Sequence, residues 1–308
     1  MDPLTPRETH RGLMTTAGND SGGAQLHGAA SQFHPGLFER CANPGCHSGW
    51  LHLFRNRAVP VFEEGWSCSP ECTIARLDNA VRREFDGRGS GSDGHRHRLP
   101  LGLLMLEHGW ITPAQLRCGL DAQKASGEGR LGDWLVGQHS VGEELVARAL
   151  AIQWNCAVFP LGLHDSSSLA AVMPRLFVDA FGALPLRIAT SRFLYLGFEE
   201  SLDPPLALAI ERMTGLHVES GILQSSSFRP AQARMLDARY PSVELVEAAT
   251  ESAAARALAR SVERSRPVAS RLVRAHDCLW LRMWLSVQTS LLPEIDSVKD
   301  VVCSIGAL

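Results

Sequence analysis

At 308 residues the chain is long enough for two or three small hydrophobic cores. Its 45% hydrophobic and 20% charged content suits a globular protein, and a net charge of −3 gives no general attraction to nucleic acid or anionic lipid. No apolar run reaches the length of a membrane-spanning helix, so no membrane insertion is expected; eight cysteines, four of them in a paired cluster, fit metal binding in a reducing cytoplasm better than a disulfide framework.

Residues 1–32 are polar and rich in Gly, Ser, Thr and His. They lack the basic-then-apolar order of a leader and read as a disordered arm. Residues 33–85 carry two cysteine pairs, Cys41-x4-Cys46 and Cys68-x3-Cys72. Zinc takes four soft ligands at tetrahedral corners, and two close pairs can supply them. Asn43-Pro44-Gly45 is a turn sequence that lets the first pair face one point. Ser69-Pro70-Glu71 lies inside the second pair, and Thr73–Val81 continues as a helix. Four unrelated buried cysteines is the competing reading; the paired spacing favours zinc. A closed shell of four thiolates leaves no open coordination position, so the zinc is expected to be structural. Between Phe38 and Phe85 six arginines meet six acidic residues, which argues against a phosphate-tracking finger.

Residues 86–97 are rich in Gly and Ser and read as a flexible linker that sets the cysteine module apart. Residues 98–155 hold an internal repeat of period 30. Leu101, Gly102, Leu120 and Gln123 recur as Leu131, Gly132, Leu150 and Gln153. Each copy reads as two short helices, so the segment is expected to form a four-helix subdomain. Thr112-Pro113-Ala114-Gln115 has the composition of a capping box with proline at the first helical position.

Residues 156–240 alternate short strands and helices, the pattern of a small α/β layer. Strands are expected at Cys156–Phe159, Ala183–Ile188, Phe193–Phe198 and Leu216–Leu223. Helices are expected at Pro174–Phe181, Pro204–Thr214 and Arg229–Arg239. In residues 241–308 a helix is expected over Glu247–Ser265, then an apolar hairpin over Ser270–Ser286 turning at His276-Asp277. Trp280 and Trp284 read as cover for a core edge, and Cys118, Cys156, Cys278 and Cys303 as buried thiols. The predicted class is therefore α+β and multi-domain.

Two resemblances follow from these motifs. A turn-borne cysteine pair followed by a pair that opens a helix resembles treble-clef zinc fingers. The repeated Leu-Gly-x2-apolar-x3-Gly-x6-Leu-x3-Leu-x2-Gln resembles the N-terminal (MshEN) domain of type II secretion and type IV pilus assembly ATPases. Val172-Met173-Pro174, Asp203-Pro204 and Thr214–Val218 fall in that family's order, so the likeness spans about Leu99 to Arg239. It implies a domain that binds cyclic di-GMP or docks a protein partner.

The carried-over ligand residues are Leu101, Gly102, Met105, Gly109, Leu116, Leu120 and Gln123 in the first copy. In the second they are Arg130, Leu131, Gly132, Leu135, Val146, Leu150 and Gln153. Pro100 stands where the family's first motif has Arg, with Arg98 close by, and His139 replaces the second copy's Gly. No Gly-x4-Gly-Lys-Ser/Thr loop, Gly-x-Ser-x-Gly elbow or His-Glu-x2-His helix occurs. The pair His276-Asp277 reads as structural, and His95 and His97 as solvated linker residues. The chain therefore reads as a non-enzymatic regulator or adaptor; a purely structural docking protein and a zinc-finger transcription regulator are the alternatives.

Overall fold

The computed structural model describes residues 40–47, 59–86, 98–138, 141–160 and 167–306. The arm at 1–32, parts of the cysteine region, most of the linker with His95 and His97, and His139 lie outside them.

The first described elements are a two-residue hairpin, β1 (Val61–Phe62) and β2 (Gly65–Trp66), then helix α1 (Pro70–Asp86). Four helices follow: α2 (Leu101–Glu107), α3 (Pro113–Ser126), α4 (Leu131–Gly137) and α5 (Glu143–Trp154). The expected capping box is present at α3. The Thr112 hydroxyl accepts from Gln115 N, and the Gln115 carbonyl oxygen accepts from Thr112 N at 2.8 Å. Gly109 ends α2 in the left-handed region at φ +66°, which no Cβ obstructs. A small core of Leu104, Met105, Ile111, Leu135, Val141 and Ala149 fills the bundle.

The α/β layer comprises β3 (Ala157–Val158), α6 (Arg175–Ala180), β4 (Leu184–Ala189), β5 (Phe193–Phe198), α7 (Pro204–Thr214), β6 (His217–Ile222) and α8 (Ser225–Leu236). Its sheet order is β3-β6-β5-β4, with β5 and β6 parallel and joined through α7. Helix α8 begins four residues before the expected Arg229 and holds Pro230 inside it. Gln224 offers no side-chain cap; instead the Glu143 carboxylate of α5 accepts from Ser226 N at 2.6 Å. The cap comes from another helix, which local sequence cannot announce.

The C-terminal layer differs most from expectation. Ser242–Ala248 is strand β7, and helix α9 (Glu251–Ser265) starts only after it, capped by Thr250. The expected hairpin is there as β8 (Ala269–Ala275) and β9 (Cys278–Trp284). The tail, from which no element was expected, supplies β10 (Val298–Ile305). This strand is central: the order is β7-β10-β9-β8, with β10 parallel to β7 and antiparallel to β9. Strand β7 does not announce itself, because its partner β10 lies fifty-seven residues further on, Ser242 pairing with Lys299.

Both faces of this sheet are covered. Val273, Trp280, Trp284 and Val302 point into the core shared with the α/β layer. Trp280 is thus fully buried at the junction rather than covering an edge. Its indole N–H donates to Asp300, which also takes a bidentate pair from the buried Arg282 guanidinium at 2.8 Å. Arg282 donates as well to the carbonyls of Ala171 and Val172, so every charge in this buried cluster is met.

The opposite face, with Leu272, Leu279, Leu281 and Met283, packs against Leu258 and Val262 of α9 and against Leu77 and Val81 of α1. The cysteine region therefore shares one core with the C-terminal strands instead of standing apart behind a linker. Glu84 of α1, 3% exposed, accepts two hydrogen bonds from Arg212 of α7 and one from Arg274 N of β8. Burial pushes its carboxyl up, but the Arg212 hydrogen bonds and charge outweigh this and hold it below the ordinary 4.5.

Among the remaining thiols, Cys303 is buried, Cys156 and Cys278 are half-buried, and Cys118 is exposed, contrary to expectation. Burial pushes the Cys278 and Cys303 thiols up to about 11, so both stay protonated and inert. His276 sits at the β8–β9 turn with φ +54°, stacks on Phe181 and meets Asp203 at 2.6 Å. Asp203 in turn caps α7 through Leu206 N, so this histidine clasps the two layers.

Candidate metal centre and ligand cavity

The four cysteines converge. Their Sγ atoms all lie within 4.8 Å of one another, with Cys46 to Cys68 at 3.5 Å and Cys68 to Cys72 at 3.6 Å. Four thiolates around one zinc, each at 2.3 Å, stand about 3.8 Å apart, so the spacing fits that ion. The first knuckle is shaped as the sequence predicts: Cys46 N donates to Asn43 O and Gly45 N to the Asn43 side chain. It is laid on the hairpin by Ala42 N donating to Trp66 O.

The second pair opens α1, with Cys72 in its first turn, where the helix dipole favours negative charge. Cys68 N donates to Cys41 Sγ at 3.4 Å and the Asn43 amide to Cys72 Sγ at 3.3 Å. Such donors stabilise thiolates over thiols and orient the ligand atoms. Arg76 fixes the hairpin beneath by donating to the carbonyls of Phe62 and Gly65.

The repeats show a local two-fold relation in their contacts. A Cβ on Gly102 would stand 2.5 Å from Leu116 and 3.1 Å from Leu131, while one on Gly132 would meet Val146 at 2.9 Å and Leu101 at 3.8 Å. Each glycine thus lets the helix of one copy sit close on a branched apolar side chain of each copy. The glutamines follow the same rule. Gln123 donates to the Gly129 carbonyl at 2.9 Å, and Gln153 donates to the Leu99 carbonyl at 2.7 Å. Donors and acceptors are both offset by one repeat, and each glutamine closes on the residues that lead into the other copy's motif.

The motif residues divide by position. Leu101, Arg130, Leu131, Gly132, Val146, Leu150 and Gln153 line a cavity of about 840 Å³. Gly102, Met105 and Leu135 are buried, and Leu116 packs beside the bundle core. Gly109 is the α2 turn, Leu120 is 46% exposed, and Gln123 makes the hydrogen bond just described. Arg98 lies with its guanidinium over the Trp154 ring at 3.2 Å, on the helix that forms one wall.

The far wall comes from the α/β layer: Glu199, Glu200 and Ser201 after β5, Leu223 and Gln224 after β6, and Arg229 of α8. No spacing in the sequence links these residues to the repeat. Ion pairs span the gap: Arg130 with Glu200, and Arg229 with Asp133 at 3.4 Å; within the far wall Arg229 also pairs with Glu199 at 2.6 Å. With Glu143 added, four carboxylates face two guanidiniums in this lining.

No defined protein family and no curated protein matches the chain. Solved structures do. A structure of MshE with cdg is 26% identical over 45% of this chain and 99% of that one, with a TM-score of 0.35. The N-terminal domain of XpsE is 19% identical over 44% of this chain and 92% of that one, with a TM-score of 0.31. Each likeness spans less than half of this chain.

Among the described residues no helix is long and apolar enough to cross a membrane.

Proposed function

We propose that this chain is a non-enzymatic regulator or adaptor, in which the tandem repeat binds cyclic di-GMP and a structural zinc ties the cysteine knuckles to α1. The observation that carries the ligand reading is the cavity beside the second motif. Its volume falls within the ~300–1,000 Å³ usual for small-molecule sites. Leu101, Leu131, Val146 and Leu150 offer apolar contact to a base, Gly132 allows close backbone approach, and Arg130 can pair with phosphate or stack on guanine. The likeness of the repeat to the MshEN motif supplies the identity of the ligand.

Calorimetry with cyclic di-GMP tests this. Binding in the micromolar range or tighter is expected for the wild type and is lost or weakened in Arg130→Ala. No heat from folded wild type at high ligand concentration would sink the reading. For the metal, one zinc per chain is expected, absent from Cys68→Ser, with α1 losing amide protection. A metal-free wild type whose α1 stays protected would overturn the assignment.

A docking role has its own support. In the first copy Leu103 and Leu120 are 51% and 46% exposed, whereas Leu150, the repeat partner of Leu120, packs against the α/β core. Capture of a partner by wild type but not by Leu103→Asp, without any ligand binding, would favour docking.

A further inference from the structure

The cavity carries an electrostatic contradiction. A cyclic dinucleotide has two phosphate charges, yet Asp133, Glu143, Glu199 and Glu200 outnumber Arg130 and Arg229 around the space it would fill. Three of these four carboxylates are already committed across the gap between the two walls. Glu200, only 20% exposed, occupies Arg130; Asp133 meets Arg229 at 3.4 Å; and Glu143 caps α8 through Ser226 N. Glu199 holds Arg229 within the far wall. Arg130, at the head of the second motif, is the only arginine in the lining contributed by the repeat.

We propose that Glu199 and Glu200 form an acidic latch that keeps the ligand out of the closed molecule. Glu200 stands on Arg130 where a phosphate would go. A dianion entering the closed cavity would meet these carboxylates in a half-enclosed space, where like charges repel more strongly than in water. Binding therefore requires the loop after β5 to leave Arg130, and the phosphate replaces Glu200 as its counter-charge. The affinity is reduced by the fraction of molecules that are closed, and ligand binding reads out as separation of the second repeat from the α/β layer. The device is built from groups on two elements distant in sequence, so it acts only in the folded chain.

This rests on the cyclic di-GMP reading above, and the test separates the two. Glu200→Gln keeps the shape of the side chain and removes its charge. Hydrogen exchange on the ligand-free proteins comes first: residues 130–137 and 199–203 exchange faster in Glu200→Gln than in wild type, while α1 and α9 are unchanged. Titration with cyclic di-GMP comes second: Glu200→Gln binds about fivefold tighter, the upper end for releasing one partly exposed pair. Glu199→Gln, which removes a cavity charge but breaks no pair across the gap, leaves exchange of residues 130–137 unchanged and tightens binding less. Equal or weaker binding by Glu200→Gln overturns the latch, as does unchanged exchange. If neither protein binds while exchange still accelerates, the latch stands and the dinucleotide reading falls.

Discussion

Two of the junctions in this molecule are built on opposite principles. Where α1 meets the C-terminal layer, Leu77 and Val81 are fully buried against Leu258, Val262 and the sheet. Beside this seam the Glu84 carboxylate, 3% exposed, accepts from Arg212 of α7 and from Arg274 N of β8. Where the second repeat meets the α/β layer, an 840 Å³ cavity lies between the walls. The pairs across it, Arg229–Asp133 and Arg130–Glu200, hang on guanidiniums that are 61% and 68% exposed. A dry apolar seam stays closed because opening it exposes hydrocarbon to water. A wet seam held by surface charges opens at small cost, since water and salt replace each pair. The first is a permanent joint; the second is suited to motion.

Substitutions at the two seams should separate them by size of effect. Leu77→Ala, at a site with no exposure, should lower unfolding free energy by about 3 kcal/mol in denaturant titration. A loss under 1 kcal/mol would mean that α1 is not integral to the C-terminal core.

Glu84→Gln comes next, at about 2 kcal/mol, less than a fully buried pair because Arg212 is 44% exposed. Its cost is pH-dependent. The folded carboxyl lies below its ordinary 4.5, so its contribution is complete above that pH and fades as the pH falls through the lower folded value. Stability curves of wild type and variant should therefore converge on acidification below pH 4.5. Curves that stay parallel down to acid unfolding would remove the assigned ion pair.

Arg229→Ala should cost least, about 0.5 kcal/mol, and less still at high salt. A salt-insensitive loss as large as that of Leu77→Ala would erase the contrast between the seams.

The residues that look alike in sequence also part company here. Leu120 and Leu150 occupy the same repeat position, yet one is open to solvent and the other packs on the α/β core. Periodicity reports that both lie on one helix face, but not which copy another layer will cover. The same blindness hid β7 and β10. Val-Glu-Leu-Val-Glu in β7 suits a strand or a helix, and pairing with β10 decides between them. Helix α8 starts early for a comparable reason, since its cap is Glu143 of α5.

The sequence by itself determined the local features. The cysteine spacing and the Asn43-Pro44-Gly45 turn are written in adjacent residues, as are the capping box at Thr112 and the 30-residue repeat. So is the order of elements from β3 to α7, because each depends on turn chemistry and periodicity within one short window. Tertiary structure alone decided that α1 joins the C-terminal sheet, that Trp280 packs on Phe177, and that Glu200 meets Arg130. Those outcomes depend on burial and charge pairing between residues seventy or more apart, and no local pattern encodes which distant surface will remove a side chain from water.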